Sequence, residues 1–240
     1  MNVIREEKKE LNNTTLKLII RSILWGIIAF SCIGALLFVS AGTMNWVNGW
    51  IFIITFFFCI CINFIILIKY NPEVIEERSH LPKETKKWDL ILMTAGSVFI
   101  IAPFIVAGLD ERYNWSTLYS RWWIFFGIIM LIGGDFFILW AMAVNRWFSK
   151  VVAVQTKRGH EVITRGPYQF MRHPGYVGWG LMWLGTPLIL DSLWAFVPTT
   201  ITIIIIVIRT VWEDDTLKKE LPGYTEYASN VKYKLIPGVW

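Results

Sequence analysis

Between Ser22 and Ile68 the chain reads SILWGIIAFSCIGALLFVSAGTMNWVNGWIFIITFFFCICINFIILI, with no Asp, Glu, Lys, Arg or His. As one helix at 1.5 Å per residue the run is roughly 70 Å long, against a bilayer hydrocarbon core of about 30 Å. It therefore divides into two membrane spans. The division falls at Ala41-Gly-Thr-Met-Asn-Trp-Val-Asn-Gly49, where Gly, Asn and Thr supply turn chemistry and Trp46 and Trp50 suit a membrane interface. Two further spans follow, an uncharged one from Leu90 to Leu109 and one from Trp122 to Val144 whose single charge is Asp135. The stretch Tyr176 to Ile208 is too long for one span and short for two. It reads as a helical hairpin turning at Leu190-Asp-Ser-Leu193, with Asp191 or Ser192 capping its second helix. The expected fold is an all-α integral membrane protein of about six transmembrane helices, or five if the hairpin is one re-entrant unit.

The composition agrees. With 55% hydrophobic, 16% aromatic and only 17% charged residues, the 240-residue chain carries more apolar surface than a soluble globule can hide. A mean hydropathy of +0.50 excludes a disordered chain, a collagen-like or disulfide-framework protein and a water-soluble domain. The three cysteines, Cys32, Cys59 and Cys61, sit inside apolar runs, as small buried residues do. The net charge of +5 belongs to membrane-flanking Lys and Arg, so no nucleic-acid partner is implied.

Those basic residues test the layout. Arg5, Lys8, Lys9, Lys17 and Arg21 precede the first span; Lys69, Arg78, Lys83, Lys86 and Lys87 follow the second. Arg146, Lys150, Lys157, Arg158, Arg165 and Arg172 follow the fourth, and Arg209, Lys218, Lys219, Lys232 and Lys234 follow the hairpin. Only Arg112 and Arg121 fall on the alternate side, which puts both termini in the cytoplasm. The first span, lacking a small-residue cleavage site, reads as an uncleaved anchor.

The unusual polar chemistry collects in the last two cytoplasmic segments. One runs from Asn145-Arg-Trp-Phe-Ser149 to Gly159-His-Glu-Val-Ile-Thr-Arg-Gly-Pro-Tyr-Gln-Phe-Met-Arg-His-Pro-Gly-Tyr-Val-Gly178. The other contains Arg209-Thr-Val-Trp-Glu-Asp-Asp-Thr-Leu217, Leu221-Pro-Gly-Tyr-Thr-Glu-Tyr227 and Tyr233-Lys-Leu-Ile-Pro-Gly-Val-Trp240. The hairpin returns both to one membrane face, where they close into a polar, aromatic-lined cup. The chain thus divides into a four-span bundle over residues 1–144 and a core over residues 145–240.

The pattern His160-x-x-x-Thr164-x-Gly166-Pro-Tyr168-x-x-x-Arg172-His-Pro-x-Tyr176-x-Gly178, then Arg209-x-x-x-Glu213-Asp-x-x-Leu217 and Tyr224-x-x-Tyr227, resembles the C-terminal core of the isoprenylcysteine carboxyl methyltransferase and phospholipid N-methyltransferase superfamily. The ending is similar to that of prokaryotic members. One departure is Glu213-Asp214, where eukaryotic members commonly carry Glu-Glu. The resemblance implies transfer of a methyl group from S-adenosylmethionine to a lipid-like or amphiphilic acceptor from the bilayer, a carboxylate such as isoprenylcysteine or an amine. It implies cofactor binding by His160, Tyr168, His173, Pro174, Tyr176, Gly178, Glu213, Asp214 and Tyr227, and catalytic roles for Arg172 and Glu213. The residue types suit the task. Tyr168, Tyr176, Tyr224, Tyr227 and Glu213 favour a sulfonium; His160, His173 and N–H groups near Gly166 and Gly178 offer donors; Arg172 offers a fork for an acceptor carboxylate. An amine acceptor needs a general base, Glu213 or His173; a carboxylate does not.

Competing readings stand beside these. His160 and His173 also suit plain interfacial hydrogen bonding, and as a zinc pair they lack a third ligand cluster. Arg172 also suits lipid phosphate, and Arg209 with Glu213 a surface i, i+4 pair. Asp135 is an intramembrane acid better explained by pairing with a neighbouring helix than by an ion path. Phe52 to Phe64 reads as lipid-facing packing. A nicotinamide-dependent membrane reductase lacks a phosphate-gripping Gly-rich turn here, and a transporter or scaffold does not explain polar residues gathered at one face. The resemblance places the protein in the plasma membrane of a prokaryote or the endoplasmic reticulum of a eukaryote.

Overall fold

A computed structural model describes residues 2–78, 82, 84–116, 120–155 and 159–240. Lys83, Lys157 and Arg158 of the basic clusters lie outside the described residues. The helices are α1 (Asn2–Ala41), α2 (Val47–Tyr70), α3 (Pro72–Glu77), α4 (Lys87–Tyr113), α5 (Arg121–Val144), α6 (Pro174–Ile189), α7 (Phe196–Glu220) and α8 (Tyr224–Asn230), with a 3-10 turn at Gly166–Gln169 before α6. Among the described residues five helices are long and apolar enough to cross a membrane: Ile20–Ala41 of α1, then α2, α4, α5 and α7. Large apolar side chains stay exposed along them, among them Val39, Ile65, Ile91, Trp122 and Phe136, as a lipid solvent permits. The chain is an all-α, multi-pass membrane protein.

The hairpin forms, with bounds that differ from the hydropathy reading. Helix α6 starts at Pro174, whose ring pre-sets the first helical turn, and has only 16 residues, short of a full crossing. The turn at residues 190–195 contains Asp191 at φ +56°, and the Ser192 hydroxyl accepts the Ala195 N–H at 3.1 Å within that turn; the N-cap position of α7 is Ala195, which has no side-chain cap, so neither Asp191 nor Ser192 caps the helix as expected. Helix α7 does not stop at Ile208 but continues to Glu220. Arg209, Glu213 and Asp214 therefore lie within about one and a half turns of one helix emerging from the apolar layer, because nothing between Ile208 and Leu217 breaks a helix.

Close approach between backbones fixes the pairing of α5 with α6. A Cβ on Gly134 would lie 2.5 Å from the Gly178 carbonyl oxygen, and one on Gly185 would lie 2.6 Å from that of Gly127. Small residues at such crossings replace the hydrophobic drive that lipid cannot supply. Helix α4 packs on α1 through Gly108 against Leu37 and Ser40, and on α7 through Gly96 against Ile205. Pro103 within α4 cannot donate to the Phe99 carbonyl; the Thr202 hydroxyl of α7 donates there instead, at 2.8 Å. Asp135 of α5 is held by the Asn63 side chain of α2 at 2.7 Å, the inter-helix pairing expected of an intramembrane acid.

Two aromatic expectations are corrected. Trp46 is buried, packed on Phe38 and over Gly49, so it belongs to the core and not to an interface. Phe52 is likewise buried against Phe56 and Phe104, whereas Phe57 and Phe58 face outward.

Candidate functional site

At the end of the bundle where α7 emerges, a cavity of about 340 Å³ opens between Arg78, the 145–163 segment, the start of α6, the end of α7 and α8. Small-molecule sites begin near ~300 Å³. The two segments that the motifs singled out meet here: His160, Tyr168, Arg172, His173, Tyr176, Glu213, Tyr224 and Tyr227 all line it.

Beneath the wall sits Asp214, fully buried. It receives Nε and Nη2 of Arg172 at 2.7 and 3.0 Å and the Tyr224 hydroxyl at 3.0 Å; His173 Nε2 lies at 3.3 Å and Lys218 Nζ at 2.7 Å. The second guanidinium nitrogen of Arg172 donates to the carbonyls of Val231 and Lys232 at 2.6 and 2.9 Å. The main-chain N–H groups of Arg172 and His173 donate to Tyr233 and Lys234. Asp214 and Arg172 thus clamp the C-terminal tail across the entry to α6. Two expectations change: Arg172 does not offer a free fork to an acceptor, and Asp214 lies behind the cavity wall instead of on it. The cause is geometric, since α7 turns Glu213 toward the cavity and its neighbour inward.

Glu213 accepts the Tyr176 hydroxyl, and it makes no ion pair among the described residues. Arg209, spaced to pair with it, instead grips the fully buried Asp89 of α4 through Nε and Nη2 at 2.7 and 2.9 Å and lies 5.5 Å from the Tyr176 ring centroid. Asp89 also accepts the Val152 N–H at 2.7 Å, and Lys86 N–H bonds the Val152 carbonyl at 2.9 Å. The α4 entry thereby pins the 145–163 segment. The surface-pair reading of Arg209 and Glu213 is not realised.

His160 forms the opposite wall. Its ring stacks on Trp147 at 5.0 Å, and its Nδ1 accepts the Gln155 N–H at 3.3 Å. Burial pushes its pKa down to about 4 even though Glu77 pulls the other way, so the ring is neutral at pH 7 and its proton sits on Nε2 as a donor. Gln155 is in turn tied to buried Glu77. Asn145, at the end of α5, donates to the Tyr168 hydroxyl at 2.9 Å, while the Tyr227 hydroxyl donates to the Tyr168 carbonyl at 2.7 Å. Burial raises the pKa of Tyr168, Tyr224 and Tyr227, keeping all three phenols neutral.

Pro174 and Gly178 are not on the cavity wall. Pro174 opens α6, and a Cβ on Gly178 would collide with the Gly134 carbonyl, so that glycine serves the α5 crossing. Gly166, at φ +63°, turns the chain beneath Trp140 and Val144. Sequence reasoning missed Asp89, Trp147, Gln155, Glu77 and Arg78. Only Asp89 carried a signal, a carboxylate in the first turn of a membrane helix.

The phospholipid methyltransferase family model matches residues 122–222. The protein-S-isoprenylcysteine O-methyltransferase of Dictyostelium discoideum is 27% identical over 50% of this chain and 48% of its own length. The B form from Arabidopsis thaliana is 30% identical over 51% of this chain and 64% of its own length, and the Saccharomyces cerevisiae enzyme 26% identical over 74% and 72%. The chain spans about half the length of the Dictyostelium relative. A solved structure of the eukaryotic intramembrane Ras methyltransferase, isoprenylcysteine carboxyl methyltransferase, aligns with a TM-score of 0.47 and 18% identity over 94% of this chain and 98% of that one. These relatives are eukaryotic and lend no support to a prokaryotic type. Through its two-part C-terminal motif and these sequence matches over part of its length, the chain is similar to isoprenylcysteine carboxyl methyltransferases and to the phospholipid methyltransferase family.

Proposed function

We propose that the protein is an integral membrane methyltransferase that uses S-adenosylmethionine to methylate a carboxylate on a lipid-like acceptor of the isoprenylcysteine kind. The observation that carries this reading is Glu213, a carboxylate on the cavity wall that no cation pairs among the described residues, bonded by the Tyr176 hydroxyl in a cavity that Tyr224 and Tyr227 also line. Such a setting favours a sulfonium cation. S-adenosylmethionine supplies an electrophilic methyl group. The chain's own part is to bind and orient: neutral His160 donates from Nε2, Tyr168 and Tyr227 shape the wall, and Asp214 with Arg172 holds the tail closed over it. Exclusion of water from this end of the bundle lowers the barrier to a transfer in which charge is neutralised.

A carboxylate acceptor fits better than an amine. It needs no general base, so Glu213 remains available to a sulfonium and neither Glu213 nor His173 has to take a proton. Residues 145–240 act as the methyl-transfer core, with α5 as a shared wall, and residues 1–144 select the acceptor. The cavity faces the cytoplasm with both termini, following the distribution of Lys and Arg.

Calorimetric binding of S-adenosylmethionine to detergent-purified protein tests the reading, with NADPH alongside. Micromolar binding that Glu213→Ala abolishes, followed by labelled methyl transfer to a prenylated cysteine, supports it. Binding of NADPH alone would move the protein to the reductases, and binding of neither would leave a scaffold.

A further inference from the structure

Arg78 belongs to none of the motifs and lies outside the residues that match the family model. It follows α3, the short helix that continues the second span, and its N–H bonds the Val74 carbonyl at 3.0 Å. Its guanidinium reaches the cavity and packs 5.6 Å from the Phe148 ring centroid. The other two arginines of the cavity each grip a buried carboxylate through two nitrogens, Arg172 on Asp214 and Arg209 on Asp89. Arg78 makes no ion pair among the described residues. The charge that acts on it is like-signed: burial together with Arg209 lowers its pKa to about 10, and burial together with Arg78 and Arg21 lowers that of Lys150. A partly buried cation facing other cations is unfavourable until an anion joins it.

The cavity is thus bipolar, with a carboxylate at Glu213 and a guanidinium at Arg78 that have no ion-pair partner among the described residues. We propose that Arg78 is the specificity residue that binds the acceptor's carboxylate, presenting it to the methyl donor held against Glu213. The inference rests on the methyltransferase reading. The acceptor, not the donor, is assigned to Arg78 because the membrane spans deliver this residue. Phe148 beneath it packs against the apolar cluster to which Leu67 and Ile138 of the spanning helices belong, so an apolar chain lying in the bilayer brings its polar end to that point.

The test measures binding of a prenylated cysteine with a free carboxylate, and of its carboxamide, to full-length protein in phosphatidylcholine vesicles, with and without phosphatidylserine. Wild type, Arg78→Gln and Arg78→Lys are compared, with S-adenosylmethionine affinity measured on each as the control for folding and for the donor site. Loss of a charged hydrogen bond in a partly buried site predicts a roughly 10–100-fold weaker carboxylate affinity in Arg78→Gln and an intermediate loss in Arg78→Lys. Carboxamide affinity and donor affinity stay unchanged. Equal weakening for carboxylate and carboxamide, unchanged carboxylate affinity, or no wild-type preference for the carboxylate overturns the proposal. Weaker donor binding with an intact fold would give Arg78 to the cofactor, and competition by phosphatidylserine alone would give it to membrane phosphate; either also overturns it. Because these arms need no turnover, they fail separately from the activity assay that tests the parent reading.

Discussion

Replacing Asp214 by Asn tests how the site is held. Asp214 is fully buried and takes two hydrogen bonds from Arg172, itself only 6% exposed, so the substitution strands a guanidinium with no counter-charge. Removing one partner of such a pair costs about 3–5 kcal/mol. Lys218 loses the same counter-charge, which adds to that figure, while the amide oxygen of Asn still accepts the Tyr224 hydroxyl. At about 2–4 °C per kcal/mol for a chain of this length, the melting temperature in detergent should fall by roughly 6–20 °C. S-adenosylmethionine affinity should fall with it, because Arg172, which tethers the tail at Val231 and Lys232, loses the carboxylate that positions it. Removing both charges, in Arg172→Met with Asp214→Leu, should restore part of the stability without restoring binding, since no lone charge is then buried. A shift under 2 °C for Asp214→Asn, or a double variant less stable than the single one, would refute the claim that this ion pair organises the site.

Two other expectations can be checked directly. The folded-state pKa of His160, about 4, lies below the free value of 6.5, so the folded chain binds fewer protons between those limits and loses stability as pH falls from 6.5 to 4. The loss is bounded at about 3 kcal/mol; melting curves of His160→Gln across that window should be flatter than wild type, and identical slopes would exclude a neutral buried ring. Gly178→Leu should force α5 and α6 apart at Gly134 and destabilise by at least the ~1–3 kcal/mol typical of overpacking, read as a lower melting temperature with the helical circular dichroism retained.

Much of the architecture was legible in one dimension because a bilayer imposes length and polarity on every crossing. The uncharged run from Ser22 to Ile68 had to fold back, and the turn at Asp191 and Ser192 was marked by the only charged residue inside its stretch, Asp191. Trp46 and Phe52 were misassigned because interfacial, lipid-facing and core aromatics share one composition; only neighbours such as Phe38 and Phe104 separate them. The motif residues were found in good part, yet Asp214 and Glu213, adjacent in sequence, point to opposite sides of the cavity wall.

What the sequence by itself determined is the class of solvent, the number of long spans to within one, and the two segments whose side chains carry the chemistry. These follow from local properties: hydropathy summed along a helix, turn formers and motif spacing. Only the tertiary structure decided the pairings. Arg209 is joined to Asp89 across 120 positions, Arg172 to Asp214 across 42, and Arg78 has no carboxylate partner among the described residues. Charge pairing in a bundle depends on which helix faces meet and at what depth. That is set by backbone contacts such as Gly134 on Gly178, and no spacing along the chain encodes them.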